Sequence, residues 1–576
     1  MKLGWTPSKL FLLILLSVAS IVVISACAPA AAPAPAATAA PAKPKAPSPA
    51  AAPAPAPAAP AQAPAAPAPA APSSTQPKYG GTLSFSYGAN TTTHLEPIQI
   101  TTNFTHAVVS PIYDRLVRVD WETSPNNPIA KPDLAERWEI SKDGLTLTFH
   151  LRKGVKFQNI PPVNGRELTS ADVMFSLDRA AHDPASLFQV TYRNVDKFEA
   201  PDNYTFVIKM KRFDPELFTM LSAHHGWIVP QEVVKQLGNL KTAVLGTGPF
   251  ILDKWVKDVG MFYRKNPNYW RQGRPYVDKI EMPIIGDPQT QKTAFRTGKI
   301  CCLTGSIVDF KDVKATNPDV ANIKYLQTQP NVLGMHFRNP LFKDIRIRKA
   351  ITLALDHDAV LKVAVEGDGI WRGPVSGQHE GWALTQEELK KLMPYDPAQA
   401  RKLLQEAGYG QGLTLEMSNN ASYGQDYQAV SQLLAEEFKA VGINTKIMSS
   451  PHAIFRARQD SGDYKDLWHG PDGQPTPLAH LVQNYRTGGN KNMMQLNEPD
   501  LDARIDDAAS TIDAQEMKKK VLDIQRWLLE NYYYKVNLYD YYTYNMSQPW
   551  VNNAKPTPPH FYVGAWVDIG EIWLNQ

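Results

Sequence analysis

Cysteine is nearly absent: the 576-residue chain contains three, Cys27, Cys301 and Cys302. So few exclude a disulfide-stapled scaffold. Two of the three are neighbours. Their Cα atoms lie about 3.8 Å apart across a trans peptide, closer than the roughly 4.4–6.8 Å an ordinary disulfide requires. Cys301 and Cys302 are therefore expected as free thiols packed on a strand, and with no further Cys nearby they make no zinc site. A surplus of charge is also lacking. The formal net charge is +4, but Lys2, Lys9, Lys43 and Lys45 stand in the first 77 residues, which hold no acid. Without them the body carries 56 basic and 56 acidic residues, which argues against nucleic-acid binding. No apolar run after Ile24 is long enough to cross a membrane. GTGPF at residues 246–250 is followed by no Lys-Ser or Lys-Thr, so it is a turn and no phosphate loop. There is no Gly-x-Ser-x-Gly elbow. His224 and His225 point different ways on regular structure, and His469 and His480 are too far apart to share a helix face. Neither a metal nor a cofactor is expected. The carboxylates show no distinctive spacing, which leaves an exported paired-acid hydrolase open.

What is present begins at the N-terminus. Lys2 and Lys9 precede an apolar stretch at residues 10–24, followed by Ser25, Ala26 and Cys27. Positive, apolar and then small is the order of a secretory signal, and the stretch is short for a membrane span. Residues 24–27, Ile-Ser-Ala-Cys, resemble the lipobox of bacterial lipoproteins. The resemblance implies a signal over 1–27 and lipidation of Cys27, with the protein held outside the cytoplasm on a membrane by its lipid. Residues 28–77 are almost all Ala and Pro. Repeated proline forbids a continuous helix, so this segment reads as an extended, semi-rigid linker.

About 500 residues remain, too many for one core, so two or more lobes are expected. Asp143-Gly144 is a hairpin turn pair, followed by Leu145, Leu147, Phe149 and Leu151 alternating with polar residues as a half-buried strand. Thr169 or Ser170 caps a helix with Asp172 in its first turn. After Cys302 the texture changes to helices alternating with strands. DIRIRKAITLALDHDAVLKVAV has long helical periodicity. Asp396 caps a helix that has Pro397 at its first position and ends at Gly408. LTLEMS, a helix through Leu434 and Phe438, and INTKIMSS form a strand–helix–strand unit with parallel strands. Aromatic residues crowd the second half, including Trp371, Trp382, Trp468 and the tyrosines at 532–544. Most are expected in the core, and rigid amphipathic rings also suit a pocket that grips ligands without chemistry.

The string LAERWEISKDGLTLTFHLRKGVKF…LTSADVMFSLDR resembles the family 5 extracellular solute-binding proteins of ABC importers, which include dipeptide, oligopeptide and nickel binders. GTGPF, KNPNYW, DIRIRKAITLALD, YDPAQARKLLQEAGY and AVGINTKI continue the likeness in order, over essentially all of 78–576. The resemblance implies an α/β, two-lobed periplasmic-binding-protein clamshell with a discontinuous, strand-rich first lobe. On this chain that gives lobe I at 78–302, lobe II at 303–530 and a return to lobe I at 531–576. It also implies a non-enzymatic monomer that closes on a peptide or other small polar solute and delivers it to the transmembrane subunits of a permease. Peptide-binding members carry Trp-x-Gly-Asp, whose Asp holds the ligand's amino terminus. Here Trp468 and Gly470 match, Pro471 takes the Asp place and Asp472 follows. The shift puts peptide specificity in question and brings an oligosaccharide or other neutral polar ligand forward. Trp468, His469, Gly470, Asp472, His94 and Trp371 are the candidate ligand contacts.

Overall fold

Leu83 and Phe85, two residues apart and both buried, open the body with an inward-facing strand, as the alternation predicts. A computed structural model of the chain describes residues 76–575, apart from 87–91, 93, 100–102, 121–128, 224–225, 328–330, 474–475, 533–534 and 556–567. The signal segment, Cys27 and almost all of the Ala/Pro-rich linker lie outside the described residues.

In the first part of the body the strands of the two larger sheets are β1 (Thr82–Ser84), β2 (Ala135–Ile140), β3 (Thr146–Leu151), β4 (Val195–Asp202), β5 (Thr205–Met210), β6 (Phe250–Val256), β7 (Gly260–Lys265) and β8 (Lys279–Pro283). They form two four-stranded sheets, ordered β1-β8-β7-β6 and β2-β3-β5-β4. The turn between β2 and β3 forms as the Asp-Gly pair predicts. Asp143 accepts from the backbone of Leu145 at 3.0 Å, and Gly144 adopts a φ of 69° that disfavours residues with a Cβ. β3 then alternates as expected, with Leu147, Phe149 and Leu151 buried. Helix α1 (Ser170–His182) starts at Thr169, whose backbone N–H donates to Asp172 at 3.0 Å. One core gathers these elements, reaching from Leu83 to Cys302 and including Val551, Ile569, Ile572 and Leu574 from the end of the chain.

Strands β9 (Cys302–Gly305) and β10 (Ala321–Leu326) lead to the second half. There the elements are β11 (Asn331–Met335), α2 (Ile345–Leu353), α3 (His357–Val365), α4 (Pro397–Glu406), β12 (Leu413–Asn420), α5 (Gln425–Ala440), β13 (Ile443–Ser450), β14 (Leu467–Pro471), α6 (Pro477–Asn484), α7 (Pro499–Ser510), α8 (Ala514–Asn531), β15 (Val536–Asn537) and β16 (Asp540–Ser547). The sheet runs β13-β12-β14-β11-β15. β12 and β13 are parallel from Leu413 opposite Ile443 onward, the strand–helix–strand unit read from the sequence. Asp396 accepts from Gln399 N–H at 2.9 Å at the start of α4. The long periodicity after Asp344 is broken into α2 and α3. Asp356 accepts from the N–H groups of both Asp358 and Ala359, and such a cap starts a new helix in place of extending the old one. The second core spans Leu333 to Tyr539.

Two large cores make the molecule two-lobed, and few strands join them, with a smaller cluster of Phe295, Leu303, Val313 and Met546 on and beside those strands. β16 lies between β9 and β10, antiparallel to both. Tyr532, Val536, Leu538 and Tyr539 pack in the second core, so the chain leaves that core through β16, later than the residue 531 read from the sequence. Cys302 opens β9 opposite Ser547. Cys301 sits in a bend just before it, donating to Ser84 O at 2.6 Å and accepting from Gln548 N–H at 2.9 Å. Both thiols are free and buried, and the bend brings their sulfurs to 2.9 Å. On a regular strand the two side chains would face opposite ways.

Candidate functional site

β14 occupies the middle of the second sheet, between β12 and β11, and its alternation divides the residues singled out above. Trp468 is fully buried against Val332, Phe455, Tyr464 and Met493. It lies so close over Gly334 that a Cβ there would sit 2.1 Å from the indole nitrogen. Gly470, two residues on, faces the same way, with room for no side chain against Phe455. His469 faces the opposite side. Its Nδ1 is 2.8 Å from Ser431 Oγ, its ring stacks on Tyr427 at 4.3 Å, and its carbonyl accepts from the Tyr427 hydroxyl. Burial pushes its pKa down to about 3, so it is neutral.

Asp472, just past β14, belongs to a buried polar ring that is open between its Oδ2 and His480 Nε2, neither of which has a hydrogen-bond partner. Lys535 Nζ lies 3.0 Å from Asp472 Oδ1 and donates to Asn484 Oδ1 at 2.7 Å. Because the Asn484 carbonyl faces the lysine, its amide nitrogen donates to His480 Nδ1, at 3.0 Å. Burial holds the His480 pKa well below its usual value. The neutral imidazole therefore carries its proton on Nε2, which faces Asp472 Oδ2 at 3.8 Å. All four side chains are buried. Alongside stands a second buried pair, Arg372 Nη1 to Asp540 Oδ1 at 2.7 Å. The other Asp540 oxygen accepts from Ser376 Oγ at 3.0 Å and Gly377 N–H at 2.8 Å.

Burial by itself would raise the Asp472 carboxyl, but the Lys535 ammonium beside it holds it down at about 2 against an ordinary 3.8. A depressed carboxyl pKa stabilises the fold fully above the unfolded value, and that stability is lost as pH falls toward the folded one. Urea unfolding at pH 5 and pH 2.5 is expected to show a larger loss on acidification for wild type than for Asp472→Asn. Equal losses would contradict the charged pair.

Helix α6 separates this ring from a cavity of about 860 Å³ that lies between residues of the two cores. His480 and Asn484 face Asp472 and Lys535, while Leu478, Val482 and Gln483 line the cavity. Phe213, Leu217 and Met220 line it from the first lobe. Arg486 grips Asp506 with two bonds, at 2.7 and 2.9 Å, at the cavity wall. That hydrogen bonding holds the Asp506 carboxyl low, with a further pull from Arg212 across the gap in the first lobe. The volume is in the range of small-molecule sites, roughly 300–1,000 Å³.

None of the six candidate contacts is among the residues lining this cavity. Trp468, Gly470 and Asp472 stand together behind its α6 wall. Trp371 packs in the second core, donating from its indole to Asp358 at 2.6 Å with its ring beside His357. His94 stands in the first lobe, its backbone bonded to Thr92. The sequence reading missed Lys535, Arg372, Asp540 and Asn484. The available signal was a lone lysine inside the apolar, tyrosine-rich run YYYKVNLYDYY, because a buried cation there demands a buried anion.

Residues 130–493 match the family described as bacterial extracellular solute-binding proteins, family 5, middle region. The chain belongs to that family. This family 5 protein is 28% identical over 407 residues to di/tripeptide-binding protein 2 of Pseudomonas aeruginosa, covering 66% of this chain and 75% of that one. It is 29% identical over 364 residues to glutathione-binding protein GsiB of Salmonella choleraesuis, covering 62% and 68%. Among solved structures, CtaP, an ABC transporter substrate-binding protein from Listeria monocytogenes, superposes with a TM-score of 0.74 at 19% identity, over 87% of this chain and all of that one. DppA from Helicobacter pylori, in complex with the peptide STSA, gives 0.69 at 22% identity, over 87% and 99%. These structural likenesses carry the two-lobed fold. The relatives and neighbours are solute-binding proteins of transport, not enzymes, and this sets aside the hydrolase reading. Among the described residues no helix is long and apolar enough to cross a membrane.

Proposed function

We propose that this family 5 protein captures a peptide or other small polar solute in the cavity between its lobes and presents it to the transmembrane subunits of an ABC importer. The observation that supports the reading is a cavity of about 860 Å³ walled by residues from two otherwise separate cores. A solute touching both walls favours the closed arrangement by its differential affinity. The strands β9, β10 and β16 are the few segments that have to absorb the rotation. The relatives' printed ligands include di- and tripeptides, heme and glutathione, which supports a solute of small-molecule size. Trp468, His469, Gly470 and Trp371 act as framework behind the cavity, fixing the sheet on which α6 stands. Mass spectrometry of the solute released when natively purified protein is denatured tests the reading. One small solute in near-equimolar amount is expected. Protein that carries none, and takes up none from a panel of peptides and oligosaccharides, would overturn it.

Lipidation of Cys27 holds the protein to the outer side of a membrane as a monomer, with residues 28–77 as the spacer. Multiple acyl chains, at ~0.8 kcal/mol per buried CH₂, anchor firmly. Cys27→Ala is expected to shift the protein from the membrane fraction to the soluble one, or to leave it uncleaved. Wild-type protein without acyl mass at Cys27 would refute the anchor.

A further inference from the structure

Cys301 and Cys302 have no part in solute binding, yet they stand where the two lobes are joined. Both pack in the first core. The Cys301 N–H donates to Ser84 O, at the end of β1, at 2.6 Å, and its carbonyl accepts from Gln548 N–H, just past β16, at 2.9 Å. Cys302 pairs with Ser547 of β16. The peptide unit between the two cysteines thus ties a first-lobe strand to the strand that crosses between the cores. The bend there brings the two sulfurs into contact at 2.9 Å. Both thiols are free and buried, and among the described residues no cluster of His, Cys, Asp and Glu makes a metal site of them. Adjacent thiols in contact have a chemistry that neither has alone, which is closure to a disulfide. Such a ring is strained, because a trans peptide holds the Cα atoms about 3.8 Å apart where an ordinary bridge takes about 4.4–6.8 Å. Strained disulfides are the labile, regulatory ones. The family is extracellular, and outside the cytoplasm disulfides form and persist. Burial, with Cys301 beside it, pushes the Cys302 thiol well above its usual pKa. The folded pair is therefore protonated, and its exchange passes through opening of the hinge.

We propose that Cys301 and Cys302 form a reversible vicinal disulfide, and that this bond controls the hinge between the lobes. The oxidant is a low-molecular-weight disulfide. One cysteine, as its thiolate, attacks a sulfur of that disulfide and releases a first small thiol. The other cysteine then attacks the mixed disulfide and releases the second. Two S–H bonds are lost and one S–S bond forms, and the two electrons and two protons end on the two small thiols. Closing the ring rotates the peptide between the cysteines, which carries the Cys301 carbonyl, so the hydrogen bond from Gln548 is lost. The arrangement that the ring penalises is the one in which the cavity is walled from both lobes. The oxidised protein is therefore the weaker binder, and by linkage solute favours the reduced pair by the same factor. That consequence rests on the solute-binding reading above, whereas the disulfide and its effect on the hinge do not.

Three measurements test this, and the first two need no solute. Native protein is equilibrated with hydroxyethyl disulfide, its remaining thiols are blocked with N-ethylmaleimide in denaturant, and it is digested with trypsin. The peptide 300–311, which holds both cysteines, is expected to be unblocked and lighter by two hydrogens, and to regain them with dithiothreitol. A pair that stays as thiols, ends as a mercaptoethanol adduct or links two copies of the chain would overturn the proposal. Hydrogen exchange of the backbone amides around Ser547 and Gln548 is the second measurement. Oxidation is expected to quicken it at least threefold in wild type and not in Cys301→Ser, which cannot close the ring. Should Cys301→Ser fail to fold, Cys302→Ala is the control, with the same result expected. Exchange left unchanged in oxidised wild type would separate the bond from the hinge and overturn the proposal. The third measurement is calorimetry with the solute released from native protein. Oxidised wild type is expected to bind it at least threefold more weakly than reduced, with the loss reversed by dithiothreitol, and equal affinities would overturn control of the hinge. A failure of the solute-binding reading looks different: the pair would oxidise and the amides near Gln548 would respond, while the protein bound no solute at all.

Discussion

Arg372→Met is expected to cost about 3–5 kcal/mol of folding stability, the usual penalty for removing one partner of a buried ion pair. Arg372 and Asp540 are both fully buried and meet at 2.7 Å. Methionine restores much of the volume but leaves the Asp540 carboxylate without a cation. Ser376 and Gly377 still donate to one of its oxygens, which stops the loss from running higher. Asp540 also begins β16, the strand that joins the two cores, so the destabilisation is expected to reach the hinge as well as the second lobe. Urea unfolding of wild type, Arg372→Met and Arg372→Met/Asp540→Leu reads it. The double variant should recover a large part of the loss, since apolar replacement of a buried pair is often neutral. A single variant within 1 kcal/mol of wild type would show that the pair carries little.

Val482→Trp is expected to reduce solute affinity at least tenfold, or by about 1.4 kcal/mol or more, with the fold retained. Val482 stands on α6 and faces the cavity, opposite Phe213, Leu217 and Met220 of the first lobe. An indole there takes up space that a solute needs and obstructs closure, while the opposite face of the helix, with His480 and Asn484 in the polar ring, is left unaltered. Calorimetry with the solute released from the native protein measures the effect, with circular dichroism as the check on folding. Unchanged affinity would move the ligand away from this cavity.

Much of the architecture was legible in the sequence because local chemistry determined it. The Asp143-Gly144 turn, the alternation through Leu147 and Leu151, the Asp396-Pro397 start of α4 and the parallel β12–α5–β13 unit each depend on residues within a few positions of one another. Helix breaking at Asp356 was harder to see. The apolar period runs through that point, and only the cap bonds from Asp358 and Ala359 show that the helix starts again.

The buried polar ring was less legible, because its partners are far apart in the chain. Asp472 could be picked out beside Trp468 and Gly470, but nothing local couples it to Lys535 or places His480 and Asn484 around them. Aromatic richness could not separate framework from pocket either. Trp371 proves to be core, its indole tied to Asp358, while the residues that wall the cavity, such as Val482 and Met220, look like any other apolar helix positions. A cavity between two cores arises from their approach, and periodicity within each lobe carries no record of it.

Closure of two lobes on a solute is the central claim, and small-angle X-ray scattering with and without a saturating amount of the released solute tests it most directly. The expected result is a smaller radius of gyration with solute, reached through rotation about β9, β10 and β16 with the secondary structure unchanged. A radius of gyration that stays the same at saturation, with binding confirmed by calorimetry on the same sample, would contradict it.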